Sequence, residues 1–512
     1  MTGAESLLRT LVRNRVDTCF MNPGTSEMHF VAALDRVAGL RGVLCLFEGV
    51  CSGAADGYAR VTGRPAATLL HLGPGLGNGL ANFHNARKAR SPVVSIVGEH
   101  STAHLKVDAP LTADIPAFAR TVADFVRVAA SADDVGPAAA ETIAAAWGPP
   151  GQVAMLIIPA DYSWSKTEMA GPAIAPPVRR APPSDVIDRV ARRLRQEGAA
   201  LLLGGTTVSA RGLEAARRIG TASGARVIVA RNVARIATGR GRFQPPQVPY
   251  FPEFALPFLA SVKHLVTVEA DAPVSFFGYP DTPSSMLPEG CKITVLARRD
   301  EDGTAALEAL AEAHMAAPVA EHEPVTAPEE TSALTLESMG RTLAACLPEN
   351  ALISEEAISA AAKVMGWLGA AAPHEFMPVA GGSIGQGLPV AVGAAIGCPD
   401  RKVIALEGDG SGMYTPQALW TMAREKLDVV TVILANRRYR ILDVEMRRTG
   451  AQGLGPRAND MIDIGRPDLD WVRLSEGLGV GATRAATARE FTEQFREAVK
   501  RKGPALIEAV LE

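Results

Sequence analysis

The stretch Val403-Ile404-Ala405-Leu406-Glu407-Gly408-Asp409-Gly410-Ser411-Gly412 joins a short apolar run to glycines that flank an aspartate and a serine. A helical pattern and a second apolar run over 429–434 separate this stretch from Asn436. The 25 residues at 411–435 suffice for one helix and one strand, which return the chain parallel to its start. The spacing therefore predicts an α/β fold in which Asp409 and Asn436 end neighbouring strands.

The side chains of Asp409 and Asn436 suit a divalent cation. Carboxylate and amide oxygens are hard ligands, and Mg²⁺ keeps few protein ligands and takes the rest from phosphate and water. The glycines let the backbone approach a ligand closely, and the N-terminus of a following helix favours a diphosphate. A Gly-Asp-Gly sequence alone is usually a tight turn. The position of Asn436 favours the metal site over that alternative.

Short apolar runs alternate with helical patterns along the chain, and two proline-rich stretches, 171–183 and 316–328, interrupt the alternation. We interpret both as linkers. The chain is then α/β, with three consecutive parallel-sheet domains at 1–170, 185–315 and 332–512. Ligands in such sheets bind at the carboxyl ends of the strands. The predicted strands cover 16–20, 42–46, 67–70, 93–97, 200–203, 227–230, 265–268, 293–296, 403–406, 429–434 and 504–509.

Composition and charge indicate small-molecule partners. The 512 residues carry 52 Lys and Arg against 55 Asp and Glu, so no strong field favours nucleic acid or an anionic membrane. The six cysteines form no CxxC pair, which argues against a zinc site and suits a reducing cytoplasm. Thr2-Gly3-Ala4-Glu5 is typical of a capping box that opens an amphipathic helix, and we expect neither a signal peptide nor a spanning helix.

Three other segments carry residues that could contact a ligand. Glu48 lies between Phe47 and Val50, where a carboxylate is expected to be poorly solvated and suited to sharing a proton with a ring nitrogen. A solvated glutamate is an equally good interpretation of that residue alone. The segment 380–389 holds too many glycines for the interior of an element. The glycines of 70–78 miss the GxGxxG register, so we expect no nicotinamide site.

These motifs together resemble the family of thiamine-diphosphate-dependent 2-oxo acid decarboxylases and acetolactate synthases, nearest to its benzoylformate decarboxylase branch. The resemblance covers almost the whole chain and is strongest over 20–100 and 380–442. It implies a pyrimidine-binding domain at 1–170, a middle domain at 185–315 and a diphosphate-binding domain at 332–512.

The resemblance also implies thiamine diphosphate and Mg²⁺ as cofactors. Asp409, Asn436 and the backbone carbonyl of Arg438 would bind the metal. The carbonyl of Gly382 would accept a hydrogen bond from the cofactor's 4′-amino group, and Ile384 would be the stiff wedge that bends the cofactor. The residues implied to bind the cofactor are Gly382, Ile384, Gly408, Asp409, Gly410, Ser411, Asn436, Tyr439 and Ile441.

Three residues of the first domain receive catalytic roles from the resemblance. Glu48 would bond the aminopyrimidine N1′ and promote the imino tautomer that deprotonates thiazolium C2. Thr25 and His71 would bind the substrate carboxylate and move protons, although a lone histidine at a strand end is more often structural. The family's second active-site histidine falls at Gly278, so Tyr279 or His374 would have to replace it, or an acceptor carbonyl would capture the intermediate.

The implied activity is nonoxidative decarboxylation of a 2-oxo acid through an enamine. The alternative is acetolactate-synthase-like carboligation, which shares every step up to the enamine. A noncatalytic scaffold is disfavoured because Glu48, Asp409 and Asn436 are all present. Glu48 of one subunit would meet Asp409 of another, so the resemblance implies a homodimer as the minimum active unit and a homotetramer as the assembly. Gly204-Gly205 resembles a former nucleotide site, which we interpret as structural.

The segment after the metal ligands would line the substrate pocket. In the family pattern a small residue stands at the place of Ile441 and an aromatic one at the place of Glu445. A branched chain fills the pocket here, and overfilling typically costs about 1–3 kcal/mol. The resemblance therefore implies a preference for short aliphatic or polar 2-oxo acids over benzoylformate.

Overall fold

The computed structural model describes residues 1–312, 323, 325–328, 332–451, 453 and 455–511. Most of the second predicted linker, from Ala316 to Pro324, lies outside the described residues. Three mostly parallel sheets follow one another along the chain, which confirms the predicted fold class. None of the described helices is both long enough and apolar enough to cross a membrane.

The first sheet has six parallel strands in the order β2-β1-β3-β4-β6-β5. Its strands are β1 Thr18–Asn22, β2 Arg41–Leu44, β3 Ala66–Leu70, β4 Val93–Glu99, β5 Phe125–Val128 and β6 Val153–Pro159. The helices around it are α1 Gly3–Arg13, α2 Met28–Ala33, α3 Glu48–Thr62, α4 Leu72–Ala89, α5 Ile115–Arg120, α6 Val135–Trp147 and α7 Ala160–Trp164. The predicted capping box opens α1, because Thr2 accepts from the backbone of Glu5 and the Glu5 side chain accepts from that of Thr2.

The middle sheet has four parallel strands in the order β11-β10-β7-β8. The strands of this part of the chain are β7 Ala199–Leu203, β8 Arg226–Val229, β9 Ile236–Thr238, β10 His264–Val268 and β11 Lys292–Ala297. Its helices are α8 Ser184–Leu194, α9 Ala210–Ser223, α10 Pro252–Leu259 and α11 Gly303–Glu312. The strand β9 leaves this sheet and pairs antiparallel with the third one, where Glu375 lies opposite Ala237.

The third sheet has seven strands in the order β16-β17-β15-β14-β12-β13-β9. The six strands that follow β11 in the chain are β12 Leu352–Glu356, β13 His374–Pro378, β14 Val403–Gly408, β15 Val429–Ala435, β16 Gly481–Ala485 and β17 Ala505–Val510. The helices are α12 Leu336–Cys346, α13 Ala361–Leu368, α14 Gly387–Gly397, α15 Asp409–Gly412, α16 Gln417–Arg424, α17 Arg440–Arg448, α18 Pro456–Asp460, α19 Trp471–Gly477 and α20 Ala488–Lys500.

Each predicted strand occurs, with its ends shifted by at most two residues. The sequence analysis did not indicate β5, β6, β9, β12, β13 and β16; β6 is an uninterrupted apolar run, while three of the others are short or polar. β12 ends in two glutamates, β16 reads Gly-Ala-Thr-Arg-Ala, and β9 has only three residues and pairs outside its own segment. The domain boundaries at 1–170, 185–315 and 332–512 stay predictions.

Glycines bring α3 and α14 into backbone contact. A Cβ on Gly57 would lie 2.2 Å from the carbonyl oxygen of Val390, and one on Gly393 would lie 1.8 Å from that of Ala54. The two helices run in the same direction. Gly393 meets Ala54, and Gly397, one turn later in α14, meets the last turn of α3. The N-termini of the two helices, which begin at Glu48 and at Gly387, therefore lie at the same end of this interface.

We expect Gly393→Ala to destabilise the protein. Alanine has the higher helix propensity by about 1 kcal/mol, but its Cβ would force the two helices apart, and overpacking typically costs about 1–3 kcal/mol. Thermal unfolding should show a melting temperature lowered by several degrees. The matched control is Gly366→Ala in α13, where an added Cβ meets nothing within 4 Å. Equal melting temperatures for the two variants would contradict the packing argument.

Candidate active site

The third sheet brings the two predicted metal ligands together. Gly408 pairs with Leu434 across β14 and β15, so Asp409 and Asn436 follow neighbouring strand ends, as predicted. The Asp409 carboxylate accepts hydrogen bonds from the backbone nitrogens of Arg437, at 2.6 Å, and Gly410, at 2.9 Å. The Asn436 side-chain oxygen accepts from the nitrogen of Arg438 at 3.0 Å. Both side chains thus hold the segment that begins at Asn436.

The surroundings of Asp409 suit a cation and a ligand that comes close to the backbone. Its side chain is buried, and burial raises its pKa. No cationic side chain of the described residues forms an ion pair with it. A Cβ on Gly410 would lie 2.5 Å from the ring of Tyr439, so only glycine lets that ring lie against the backbone there. Ser411 donates its hydroxyl to the carbonyls of Gly408 and Glu356, at 3.1 Å each.

The guanidinium of Arg438 takes no part in this arrangement. It forms two hydrogen bonds to Asp443, at 2.6 and 2.7 Å, and that carboxylate raises its pKa. The backbone carbonyl of Arg438 accepts from the nitrogen of Arg440 at 2.8 Å. Ile441 is half-buried in the first turn of α17.

Residues 381–386 form a loop at the carboxyl end of β13, and the rest of the predicted glycine-rich segment, from Gly387, is the first turn of α14. Gly382 and Gly385 have φ values of +82° and +91°, a backbone region that favours glycine. Asn85 of α4 holds the loop through both the nitrogen and the carbonyl of Ser383, at 3.1 and 2.7 Å. Ile384 is half-buried between the two glycines.

Glu48 is the first residue of α3 rather than the end of a strand, because β2 stops at Leu44. Its side chain is buried, with only 7% of the residue exposed. Both carboxylate oxygens accept hydrogen bonds, from Asn22 at 3.1 Å and from Asn78 at 3.0 Å. Two amides, one at the end of β1 and one in α4, therefore fix the direction of this carboxylate.

His71 has a partner that the sequence did not indicate. Its Nδ1 lies 2.8 Å from Glu27, whose side chain is almost fully buried and whose pKa is raised by that burial. Gly24 also donates its backbone N–H to Glu27, at 2.8 Å, and leaves room for the imidazole. Thr25 begins the short 3₁₀ turn that ends at Glu27. The pattern Gly-Thr-Ser-Glu before α2 was the available signal for Glu27.

Comparisons with known proteins show to which family the chain belongs. Residues 1–118 match the model of the N-terminal TPP-binding domain of thiamine pyrophosphate enzymes, and residues 360–509 match the C-terminal one; TPP is thiamine diphosphate. A protein of Mycobacterium tuberculosis, with the provisional name acetolactate synthase large subunit IlvX, is 48% identical over 100% of this chain and 99% of its own length. The chain belongs to the thiamine pyrophosphate enzyme family. It is a TPP-dependent enzyme.

Other thiamine pyrophosphate enzymes are similar along the same length. Benzoylformate decarboxylase of Pseudomonas aeruginosa is 30% identical over 97% of this chain and 96% of its own. The solved structure of 4-hydroxybenzoylformate decarboxylase from Rhodococcus jostii superposes with a TM-score of 0.85, at 26% identity, over 100% of this chain and 99% of that one. The similarity therefore includes the middle domain, where the sequence motifs were weakest.

The middle domain of this TPP enzyme contributes aromatic side chains to the loop 381–386, which we name the cofactor loop after its expected role. A Cβ on Gly382 would lie 2.3 Å from the ring of Phe276, so that ring rests on the loop. Tyr279 donates its hydroxyl to Glu445 of α17 at 2.9 Å, and burial raises its pKa. His374 lies at the opposite end of β13 from the loop, and burial lowers its pKa to about 4. Of the two predicted replacements for the histidine, only Tyr279 reaches α17.

The Gly204-Gly205 turn binds a side chain of the protein itself. Glu269 accepts hydrogen bonds from the backbone and hydroxyl of Thr206, at 2.9 and 2.8 Å, and from the backbone of Gly303 at 3.0 Å. A Cβ on Gly205 would lie 2.2 Å from the Glu269 carboxylate. The two glycines thus make room for Glu269, which agrees with their structural interpretation.

Two neighbouring carboxyl groups, those of Glu356 and Glu407, lie beneath the cofactor loop. Glu356 accepts from the backbone nitrogens of Gly385 and Gly387, at 2.7 Å each. Glu407 lies beside it, fully buried, and neither of its oxygens accepts from a donor among the described residues. Burial raises the pKa of Glu356 to about 7, and burial and the neighbouring charge raise that of Glu407. We infer that Glu407 is protonated and donates to Glu356.

This pair predicts how stability depends on pH. Because both folded-state pKa values exceed the ordinary glutamate value, the folded state binds more protons than the unfolded chain above about pH 5, and its stability falls as pH rises. The melting temperature of the cofactor-free protein should decline between about pH 5 and about pH 8. Glu407→Gln should flatten this decline, since an amide donates to Glu356 without losing a proton. The exposed Glu476→Gln is the control, and parallel curves for all three proteins would contradict the inference.

Proposed function

We propose that this enzyme uses thiamine diphosphate and Mg²⁺ to decarboxylate a 2-oxo acid without oxidation. The observation that carries the proposal is the pairing of Asp409 with the segment that begins at Asn436, at the glycine-rich end of β14. One carboxylate and one amide, with the backbone carbonyl of Arg438, suit a metal that takes its other ligands from phosphate and water. Gly408, Gly410 and Ser411 would hold the diphosphate.

The residues of the first domain have roles that their contacts support. When bound, thiamine diphosphate supplies a carbanion that attacks the keto carbon and accepts the electrons released with CO₂. Glu48, held by Asn22 and Asn78, shares a proton with N1′ of the aminopyrimidine. Glu27 orients His71 through Nδ1, which leaves Nε2 to bind the substrate carboxylate or move a proton. Thr25 lies one turn before Glu27 in the same segment.

The cofactor loop would set the shape of the bound cofactor. The carbonyl of Gly382 would accept a hydrogen bond from the cofactor's 4′-amino group, and Ile384 would pack against the cofactor as a stiff wedge. Tyr439 and Ile441 close the pocket on the side of α17. The loop itself is fixed from beneath by Glu356 and from the first domain by Asn85.

Carboligation is the alternative outcome, as in an acetolactate synthase. Gly278 supplies no proton donor at the place of the family's second histidine, which favours capture by a second carbonyl over protonation. The 48% identical relative with an acetolactate synthase name also favours this alternative. We further infer a cytoplasmic enzyme, because all six cysteines are free.

The function is tested with a panel of 2-oxo acids. The purified protein with thiamine diphosphate and Mg²⁺ should release CO₂ from at least one of them, and omission of Mg²⁺ should abolish the release. Product analysis by NMR distinguishes an aldehyde, which the proposal expects, from a ketol, which supports carboligation. No CO₂ release from any acid of the panel would refute both.

We propose that the active site is shared between two subunits of a homodimer, within a homotetramer. Glu48→Gln and Asp409→Ala should each be inactive alone. Calorimetry should show that Glu48→Gln still binds the cofactor and that Asp409→Ala does not. A mixed dimer of the two variants holds one site with both changes and one site with neither. Co-expression should therefore restore activity, because the intact site combines Glu48 of one subunit with Asp409 of the other. Activity that stays absent in a verified mixed dimer would place both residues in the same subunit.

A further inference from the structure

The helix α17 carries one hydrogen-bond acceptor and one donor that are buried without a partner. Glu445 accepts from Tyr279 through Oε2, while its Oε1 has no partner among the described residues. Arg448 forms an ion pair with Glu253 through Nη2, while its Nη1 is likewise without a partner in the described part of the chain. The guanidinium also lies 3.4 Å from the centre of the Phe251 ring.

Such atoms require an explanation, because buried polar groups in folded proteins are almost always hydrogen-bonded. Leaving one unpaired costs about 1–3 kcal/mol. Glu445 and Arg448 are three residues apart on one helix, so their side chains lie on the same face. No ion pair joins them among the described side chains. A single group that donates to Glu445 and accepts from Arg448 would satisfy both.

Aromatic contacts connect this pair to the cofactor loop. The ring of Phe276 rests on Gly382 and lies 5.0 Å from that of Phe277, which in turn lies 6.5 Å from Tyr279. The ring of Tyr250 lies 5.1 Å from that of Phe276 and is tilted by 44° to it. Burial and the charge of Glu445 raise the pKa of Tyr250 to about 12. The aromatic cluster therefore extends from the loop to the carboxylate of Glu445.

We propose that Glu445 and Arg448 form a subsite for a hydroxyl group at the end of a short 2-oxo acid, and that Tyr279 holds Glu445 in place. This inference rests on the proposed function and specifies its substrate. A hydroxyl both donates and accepts, whereas a methyl group does neither, an ammonium group only donates and a carboxylate only accepts. A site built to hydrogen-bond a substrate hydroxyl rejects the analogue that lacks it, because its own groups are then left unpaired.

The test uses substrates that differ only by a hydroxyl in place of a methyl. The first pair is 3-hydroxypyruvate and 2-oxobutyrate, and the second is 4-hydroxy-2-oxobutyrate and 2-oxopentanoate. The holoenzyme should have a kcat/KM at least roughly tenfold higher for the hydroxylated member of one pair. Glu445→Leu should lower that value roughly ten- to a hundredfold and raise the value for the methyl analogue, because no carboxylate is then left unpaired.

Three other variants separate recognition from folding. Glu445→Gln keeps an acceptor oxygen and should retain part of the preference. Tyr279→Phe frees the Glu445 side chain and should give an intermediate loss. Arg447→Met removes an exposed charge from the same helix and should behave as the parent. A loss of preference in Arg447→Met equal to that in Glu445→Leu would contradict the assignment, since it would show a general effect on α17.

Binding to the cofactor-loaded Glu48→Gln variant, measured by calorimetry, separates this inference from the proposed function. If the parent releases no CO₂ but the hydroxylated acid binds more tightly than its methyl analogue, the proposed function fails and the subsite stands. Equal affinities and equal kcat/KM values within both pairs would overturn the subsite, because water would then satisfy Glu445 and Arg448. Absence of binding by all four acids would overturn it as well.

Discussion

The backbone contact between α3 and α14 is the constraint that fixes the first and third sheets of one chain against each other. It is possible only because glycines face the opposing helix, and it brings together the beginnings of two helices from different sheets. One helix begins with Glu48, and the other follows the loop that holds Gly382. Asn82 donates to the carbonyls of Gly49 and Gly385, at 2.9 and 3.0 Å, and so joins both helix beginnings directly.

Buried carboxyl groups then position the remaining parts of the site. Glu27 orients His71, Glu356 holds the loop around Gly385, and Asp409 holds the segment after β15. Each carboxylate is removed from water, which is costly, and each recovers part of that cost through backbone N–H groups. Burial therefore gives these groups fixed directions, and in Asp409 it leaves a negative charge that a metal ion is suited to compensate.

The middle domain supplies side-chain contacts that neither of the two cofactor-binding domains provides. Its turn at Gly204-Gly205 is occupied by Glu269, so this turn serves the domain's own structure. Its loop around Phe276 reaches the cofactor loop, and Tyr279 reaches α17. In the proposed arrangement the cofactor domains would determine the chemistry, and the contact between the middle domain and α17 would determine which substrate end is accepted.

The sequence by itself determined the α/β class, most strands, and the pairing of Asp409 with Asn436, because these follow from local apolar patterns and from the length of one helix and one strand. Glycine-rich segments likewise indicated where the backbone must come close to a ligand. Only the tertiary structure decided that Glu27 supports His71 and that Tyr279 meets Glu445, because these partners are 44 and 166 residues apart. No local pattern encodes such contacts, since they arise where separate strand ends and domains pack together.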